Sequence, residues 1–246
     1  MAETLARELG SGMTALYLYG SAAMDDFRPG WSDIDILCLT EEPLSPEAAQ
    51  PLVTLRQRMV AGMGDLLYRC FEGAITSLPE FLSGQYGRVV YWGTSGERLT
   101  DRYDFDAFSR VSLLRYGRLL AGREARGEMP LPSMDELRAA VAGHLSTIRQ
   151  FAGQTGSSLY SCGWLLDIAR CLYTLRTGDI LPKTAAGEWA LKEGLCPVED
   201  DLRRALAVRR EPARYRDDPD TRAWLGGLNP SVQRYADVLE AELTTR

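Results

Sequence analysis

The stretch Leu18-Tyr19-Gly20-Ser21, followed after eleven residues by Asp33-Ile34-Asp35, constrains this chain more than any other. It opens with the apolar run Ala15–Tyr19, which reads as a buried strand broken by Gly20-Ser21. It closes with Asp33–Leu39, a second strand. Side chains alternate along a strand, so Asp33 and Asp35 share one face while Ile34 and Ile36 point to a core on the other. Two adjacent carboxylates repel each other and are costly to desolvate. A divalent cation relieves both problems, and Mg2+ prefers one or two carboxylates completed by phosphate oxygens and water. Gly20 lets the backbone approach a phosphate, and the Ser21 and Ser32 hydroxyls are further donors. Read singly, a Gly-Ser after a strand is a turn and an Asp-x-Asp is a solvated edge. Together, in this order, they point to a Mg2+–nucleotide site. Glu72 lies in a third apolar segment, Leu66–Ser77, where an acid without a partner is costly. Either it faces outward at an edge, or it completes a carboxylate trio with Asp33 and Asp35.

The remaining pattern separates two regions. Before residue 132 the chain alternates strand and helix signals. Helices are expected over Ala2–Leu9, Ser45–Met63 and Asp106–Arg115, and further strands over Arg88–Trp92 and Arg118–Gly122. Gly127-Glu128-Met129-Pro130-Leu131-Pro132 then marks a boundary, giving domains of 1–132 and 133–246. Everything beyond it reads as helix, beginning with Ser133 and Glu136 at capping-box spacing. Helices are expected over Asp135–Ala152, around Trp164–Leu175 and ending at Gly178, and over Thr184–Leu191, Val198–Arg210 and Ser231–Leu243. The result is an α/β domain followed by an all-helical one.

Composition removes several function classes. The five cysteines form no CxxC pair and His144 is the single histidine, so a structural zinc site and a Ser-His-Asp scheme are poorly supported. No apolar run is long enough to span a membrane, and the charged N-terminus lacks a signal-peptide core, so a cytoplasmic protein is expected. A formal net charge of −6 argues against a general nucleic-acid binder. The arginines between Arg203 and Arg216 are flanked by the acids Glu199, Asp200, Asp201, Asp217 and Asp218 and read as a solvated helix face. Only Lys183 and Lys192 are lysines among 28 basic residues, which singles both out.

The Gly20-Ser21 and Ser32-Asp33-Ile34-Asp35 arrangement resembles the nucleotidyltransferase superfamily of polymerase-β type. Arg170–Thr174, Thr177-Gly178-Asp179-Ile180-Leu181-Pro182-Lys183 and Ala185–Ala190 look like the helical C-terminal domain of the aminoglycoside adenylyltransferases that act on streptomycin and spectinomycin. The likeness spans roughly residues 15–210. It implies an α/β (α+β) nucleotidyltransferase domain with a mixed sheet, followed by an all-α helical bundle, with the nucleotide between them. Gly20, Ser21 and Ser32 would hold the triphosphate, Asp33 and Asp35 would bind Mg2+, and Arg170 and Lys183 would contact phosphates. Without the resemblance, Arg170 reads as an ion-pair residue and Lys183 as a solvated helix start.

The resemblance implies transfer of AMP from ATP to a hydroxyl of an aminoglycoside or aminocyclitol antibiotic, with release of pyrophosphate. A carboxylate must take the hydroxyl proton. Arg88–Gly93 holds no acid, so the role falls to Glu72, which is base or third metal ligand, with Glu80 as a substitute. Gly153–Ser161, which matches the stretch where streptomycin enzymes carry acids and a tryptophan, has neither. That departure speaks against streptomycin itself. Two further readings stand beside this one. One is adenylylation of another small molecule or of a protein hydroxyl, and the other is a catalytically silent nucleotide-binding regulator. A cationic small-molecule acceptor, no nucleic acid, no membrane and a monomer are the expected partners and state.

Overall fold

Six strands, β1 (Met13–Tyr19), β2 (Ile34–Thr40), β3 (Phe71–Ser77), β4 (Val89–Gly93), β5 (Gly96–Thr100) and β6 (Arg118–Gly122), form one sheet in the order β5-β4-β3-β2-β1-β6. β2 and β3 run parallel and every other neighbouring pair is antiparallel, so the sheet is mixed. The computed structural model that shows this describes residues 1–63, 66–93 and 96–245. Five helices belong with the sheet: α1 (Ala2–Leu9), α2 (Gly20–Ala23), α3 (Pro46–Met63), α4 (Leu78–Ser83) and α5 (Ala107–Val111).

Alternation along the strands builds two cores. Leu16, Ile36, Cys38, Ile75, Val90 and Trp92 face one side and meet Leu5 of α1 and Ala49, Leu52, Leu55 and Met59 of α3. Ala15, Tyr17, Tyr19, Leu37, Leu39, Ala74 and Val89 face the other, with Leu78, Leu113 and Ala125. Ile36 lies in the first core, as its spacing from Asp35 requires. The α3 crossover joins two parallel strands, a connection that a tight turn cannot make. Arg56 on α3 staples the far side, donating to the Phe71 and Gly93 carbonyls and pairing with Glu97 at 2.6 Å.

Local chemistry accounts for the departures from the sequence reading. The segment from Leu66 to Cys70 is a 3-10 turn, and β3 starts only at Phe71. β5, Gly-Glu-Arg-Leu-Thr, is a short, half-exposed edge strand without apolar alternation, which hid it from the sequence. α4 is nucleated by a full capping box between Ser77 and Glu80. The helix expected over Asp106–Arg115 is capped by Asp106, becomes α5, and widens into a π-turn over Ser112–Tyr116.

Contact clustering places Met1–Phe27 with Asp33–Leu131 in one unit, and Arg28–Ser32 with Pro132–Arg246 in another. The second unit is helical: α6 (Met134–Phe151), α7 (Tyr160–Thr177), α8 (Lys183–Lys192), α9 (Glu199–Arg210), α10 (Pro212–Tyr215), α11 (Pro219–Gly226) and α12 (Asn229–Thr245). α6 opens with the capping box of Ser133 and Glu136. α7 is the central helix, with Cys162, Leu165, Leu166, Ile168, Ala169, Cys171 and Leu172 buried, and it packs against α6, α8, α9 and α12. Gly178 ends it in a left-handed cap. α10 and α11 are short proline-started turns that the apolar periodicity did not reveal. Among the described residues no helix is long and apolar enough to cross a membrane.

Candidate active site

Asp35 stands in register between Tyr19 of β1 and Glu72 of β3. Parallel in-register neighbours carry their side chains on one face, so Asp35 and Glu72 lie side by side. Asp33 precedes β2 by one residue and shares that face. The acids therefore gather where β2 and β3 begin and β1 ends, and Gly20-Ser21 starts there as the first residues of α2.

Gly20 is fitted to Asp35. Its φ is +66°, and a Cβ at this position would stand 1.8 Å from Oδ2 of Asp35. The Gly20 N–H donates to Ser112 Oγ at 2.9 Å, so the π-turn pins the Gly-Ser turn from the side. The Gly20 N–H is thus engaged by Ser112, and the missing side chain leaves room for Asp35. Ser21 follows as the second residue of a helix only four residues long.

Glu72 has a specific partner. Tyr91 Oη donates to Glu72 Oε1 at 2.6 Å. Burial, then the bond to Glu72, pushes the Tyr91 phenol up to about 12, so it stays a donor at neutral pH. Behind it lies an aromatic wall: Tyr103 and Phe105 stack, Tyr19 and Phe81 meet Phe105 edge-on, and the Tyr19 and Tyr103 hydroxyls are 3.4 Å apart. Burial, then Tyr103 and Asp35, raises the Tyr19 phenol well above its ordinary value. Glu80 is differently employed. It caps α4 and accepts from Ser77 Oγ at 2.7 Å and from the Gly87 N–H at 2.8 Å. Burial acts to raise its pKa, but these bonds outweigh that and hold it below the usual carboxylate range. A carboxylate so engaged is a poor proton acceptor.

In the helical unit, Arg170 and Lys183 converge on an acid that the sequence reading left without this role. Lys183 Nζ pairs with Asp167 Oδ2 at 3.0 Å, and Arg170 Nη1 with Oδ1 at 3.4 Å. Burial pushes Asp167 up, yet Lys183, then Arg170 and His144, outweigh it and hold the carboxyl below its ordinary pKa. Asp167 thus fixes two cations at one place. The i, i+3 spacing of Asp167 and Arg170 on one helix was the available signal. Ser32 accepts from the Arg28 N–H at 3.1 Å and from Arg209 Nη2 at 3.5 Å. Arg209 corrects the expected solvated face, because it is 2% exposed while Arg203, Arg210 and Arg214 are exposed and paired with Glu199, Glu188 and Glu211. It was hidden among arginines of identical appearance, and only its position on the buried side of α9 sets it apart.

Comparison with known proteins gives the likeness of each unit. Residues 131–223 match the family model for the C-terminal domain of aminoglycoside adenylyltransferases, and residues 2–67 match the nucleotidyltransferase domain. The chain thus pairs a nucleotidyltransferase domain with a C-terminal domain similar to that of the aminoglycoside adenylyltransferases. It is an enzyme, a nucleotidyltransferase like the aminoglycoside adenylyltransferases. It is 28% identical over 203 residues to a spectinomycin 9-adenylyltransferase from Campylobacter jejuni, covering 78% of this chain and 74% of that one. A crystal structure of the spectinomycin adenyltransferase of Enterococcus faecialis with ATP and spectinomycin has the same fold, with a TM-score of 0.64. That likeness covers 97% of this chain and 96% of the other at 18% identity.

The donor set fits Mg2+. Asp33 and Asp35 offer hard oxygen ligands, and the missing side chain of Gly20 leaves Asp35 its place. Among the described residues no three of His, Cys, Asp or Glu stand as a metal-binding group. Glu72, expected as base or third ligand, accepts a hydrogen bond from Tyr91 on Oε1.

Proposed function

We propose that this adenylyltransferase transfers AMP from ATP to a hydroxyl of a spectinomycin-type aminocyclitol and releases pyrophosphate. The observation that carries the proposal is the register pair of Asp35 and Glu72, with Tyr91 bonded to the latter, which supports Asp35 as the metal-holding acid and Glu72 as the proton acceptor. The curated relative supports spectinomycin, and the acid-free stretch 153–161 argues against streptomycin.

Glu72 takes the proton of the acceptor hydroxyl on the oxygen that Tyr91 does not occupy. The hydroxyl oxygen forms its bond to the α-phosphorus of ATP, and the bond to the leaving pyrophosphate breaks. Asp33 and Asp35 would hold Mg2+, which would supply charge neutralisation at the phosphate oxygens. Ser21 and Ser32 hydroxyls contact phosphate oxygens, and Arg170 and Lys183 supply positive charge to the phosphates. Asp167 keeps these two side chains oriented before the nucleotide arrives.

The test is pyrophosphate release by purified protein with ATP and Mg2+, in the presence of spectinomycin, streptomycin, other aminoglycosides or no acceptor. Release with spectinomycin alone, lost in Asp33→Ala/Asp35→Ala, is the expected result. Mg-ATP binding without release for any drug would overturn the antibiotic acceptor and leave the silent-regulator reading.

A further inference from the structure

Ser32 is held by groups on both sides of its oxygen. Its Oγ accepts from the Arg28 backbone N–H at 3.1 Å and from Arg209 Nη2 at 3.5 Å, while its own N–H donates to the Arg28 carbonyl at 2.8 Å. A serine hydroxyl has two lone pairs and one proton. With two donors on the lone pairs, the proton is the group left to give.

The five residues 28–32 pack as part of the helical unit. Trp31 is buried and lies 5.5 Å from the Arg209 guanidinium and 6.4 Å from the Tyr160 ring. Arg216 Nη2 donates to the Gly30 carbonyl at 2.9 Å. The helices thus grip this loop at Gly30, Trp31 and Ser32, directly before Asp33. Arg209 also belongs to the cationic group around α7. It and Lys183 both act on the buried Cys162 thiol, which burial pushes up to about 12.

We propose that Arg209 is a positioning residue for the nucleotide: it fills the second lone pair of Ser32 Oγ and so orients the Ser32 hydroxyl as a donor to a phosphate oxygen of ATP. A neutral serine rotor would otherwise be free to turn its proton toward any acceptor. A fixed donor beside a full positive charge is preorganised for an anion and needs no reorientation when it binds. Arg209 acts through Ser32 and touches no reacting atom. The inference rests on the proposed adenylyl transfer, in which Ser32 is a phosphate contact.

The experiment is a double-mutant cycle on Mg-ATP affinity and on KM for ATP, with Ser32→Ala, Arg209→Gln and the two combined. Arg209→Lys is added because it keeps the charge but not the planar fork. Ser32→Ala is expected to weaken nucleotide binding about tenfold, the size of one hydrogen bond to a charged group. Arg209→Gln should do the same, the double variant should be no weaker than either single one, and KM for the acceptor should not move. Arg209→Lys should restore thermal stability while recovering only part of the affinity. Additive losses would overturn the inference, and so would an Arg209→Lys protein that is folded with wild-type affinity. Wild-type protein run in parallel separates the two proposals. If it binds Mg-ATP and turns over but the cycle is additive, only the role of Arg209 fails. If it binds no Mg-ATP, the adenylyl-transfer reading fails and takes this one with it.

Discussion

Gly20 and Asp35 compete for the same space, and the carboxylate occupies it: a methyl group on Gly20 would stand 1.8 Å from Asp35 Oδ2. Gly20→Ala therefore displaces the acid proposed to hold the metal by about 1 Å and forces alanine into a left-handed conformation. Such a displacement costs about 100-fold in rate. Pyrophosphate release should fall by that factor while circular dichroism stays that of a folded protein.

Gly73 plays the corresponding part beside Glu72. Its φ is +146°, and a Cβ there would meet the Ile36 carbonyl at 1.8 Å. Gly73→Ala must open the β2–β3 pairing that sets Asp35 against Glu72. Backbone strain alone is about 1–3 kcal/mol. The thermal midpoint should drop and activity should fall with it; an unchanged midpoint would contradict the close packing of these strands.

Glu72 and Tyr91 can be separated by their kinetics. Glu72→Gln removes the proposed base, and kcat should fall by about 10²–10⁴ with Mg-ATP affinity kept. Tyr91→Phe removes only the bond to Oε1, and a loss of about tenfold is expected. If Glu72→Gln retained full turnover, another group would have to be the base.

The Asp167 carboxylate has its pKa lowered in the folded protein, so it stabilises the fold above the unfolded value of about 3.9. That contribution is lost as pH falls through the folded value. Asp167→Asn leaves Arg170 and Lys183 without their shared acid and should lower stability by about 1–3 kcal/mol at neutral pH. Thermal melts from pH 7 to pH 3 should show the gap to wild type wide at neutral pH and closing only in acid. KM for ATP should rise as well.

Chelation gives a direct check on Asp33 and Asp35. Excess EDTA should stop pyrophosphate release and added Mg2+ should restore it, with no change in the thermal midpoint of the ligand-free protein. Asp33→Asn and Asp35→Asn should each require more Mg2+ for half-maximal rate. An EDTA-resistant reaction would remove the metal from the proposal.

What the sequence made legible follows from how local each signal is. Asp33 and Asp35 announce themselves because strand periodicity puts them on one face next to a buried Ile36. The capping box at Ser133 and the stop at Gly178 are likewise written within a few residues. Ser112 could not be read this way, since its bond to Gly20 spans 92 positions and depends on a widened helical turn. Nor could Tyr91, whose ring looks like core until β4 places its hydroxyl on Glu72. Arg209 and Arg210 are neighbours of one type, yet one is buried on Ser32 and the other lies exposed on Glu188. Only packing decides between them.

The grip on residues 28–32 also sets an order of assembly. Their carbonyl, ring and hydroxyl partners come from Tyr160, Arg209 and Arg216. During synthesis the ribosome finishes the sheet strands well before it reaches Arg216, and until then Trp31 has no place to dock. The loop leading into Asp33 is thus completed only when a residue 186 positions downstream of Gly30 has emerged. Until then the chain carries the aspartates without a settled approach to them, and under the proposed function nucleotide binding waits for Arg216.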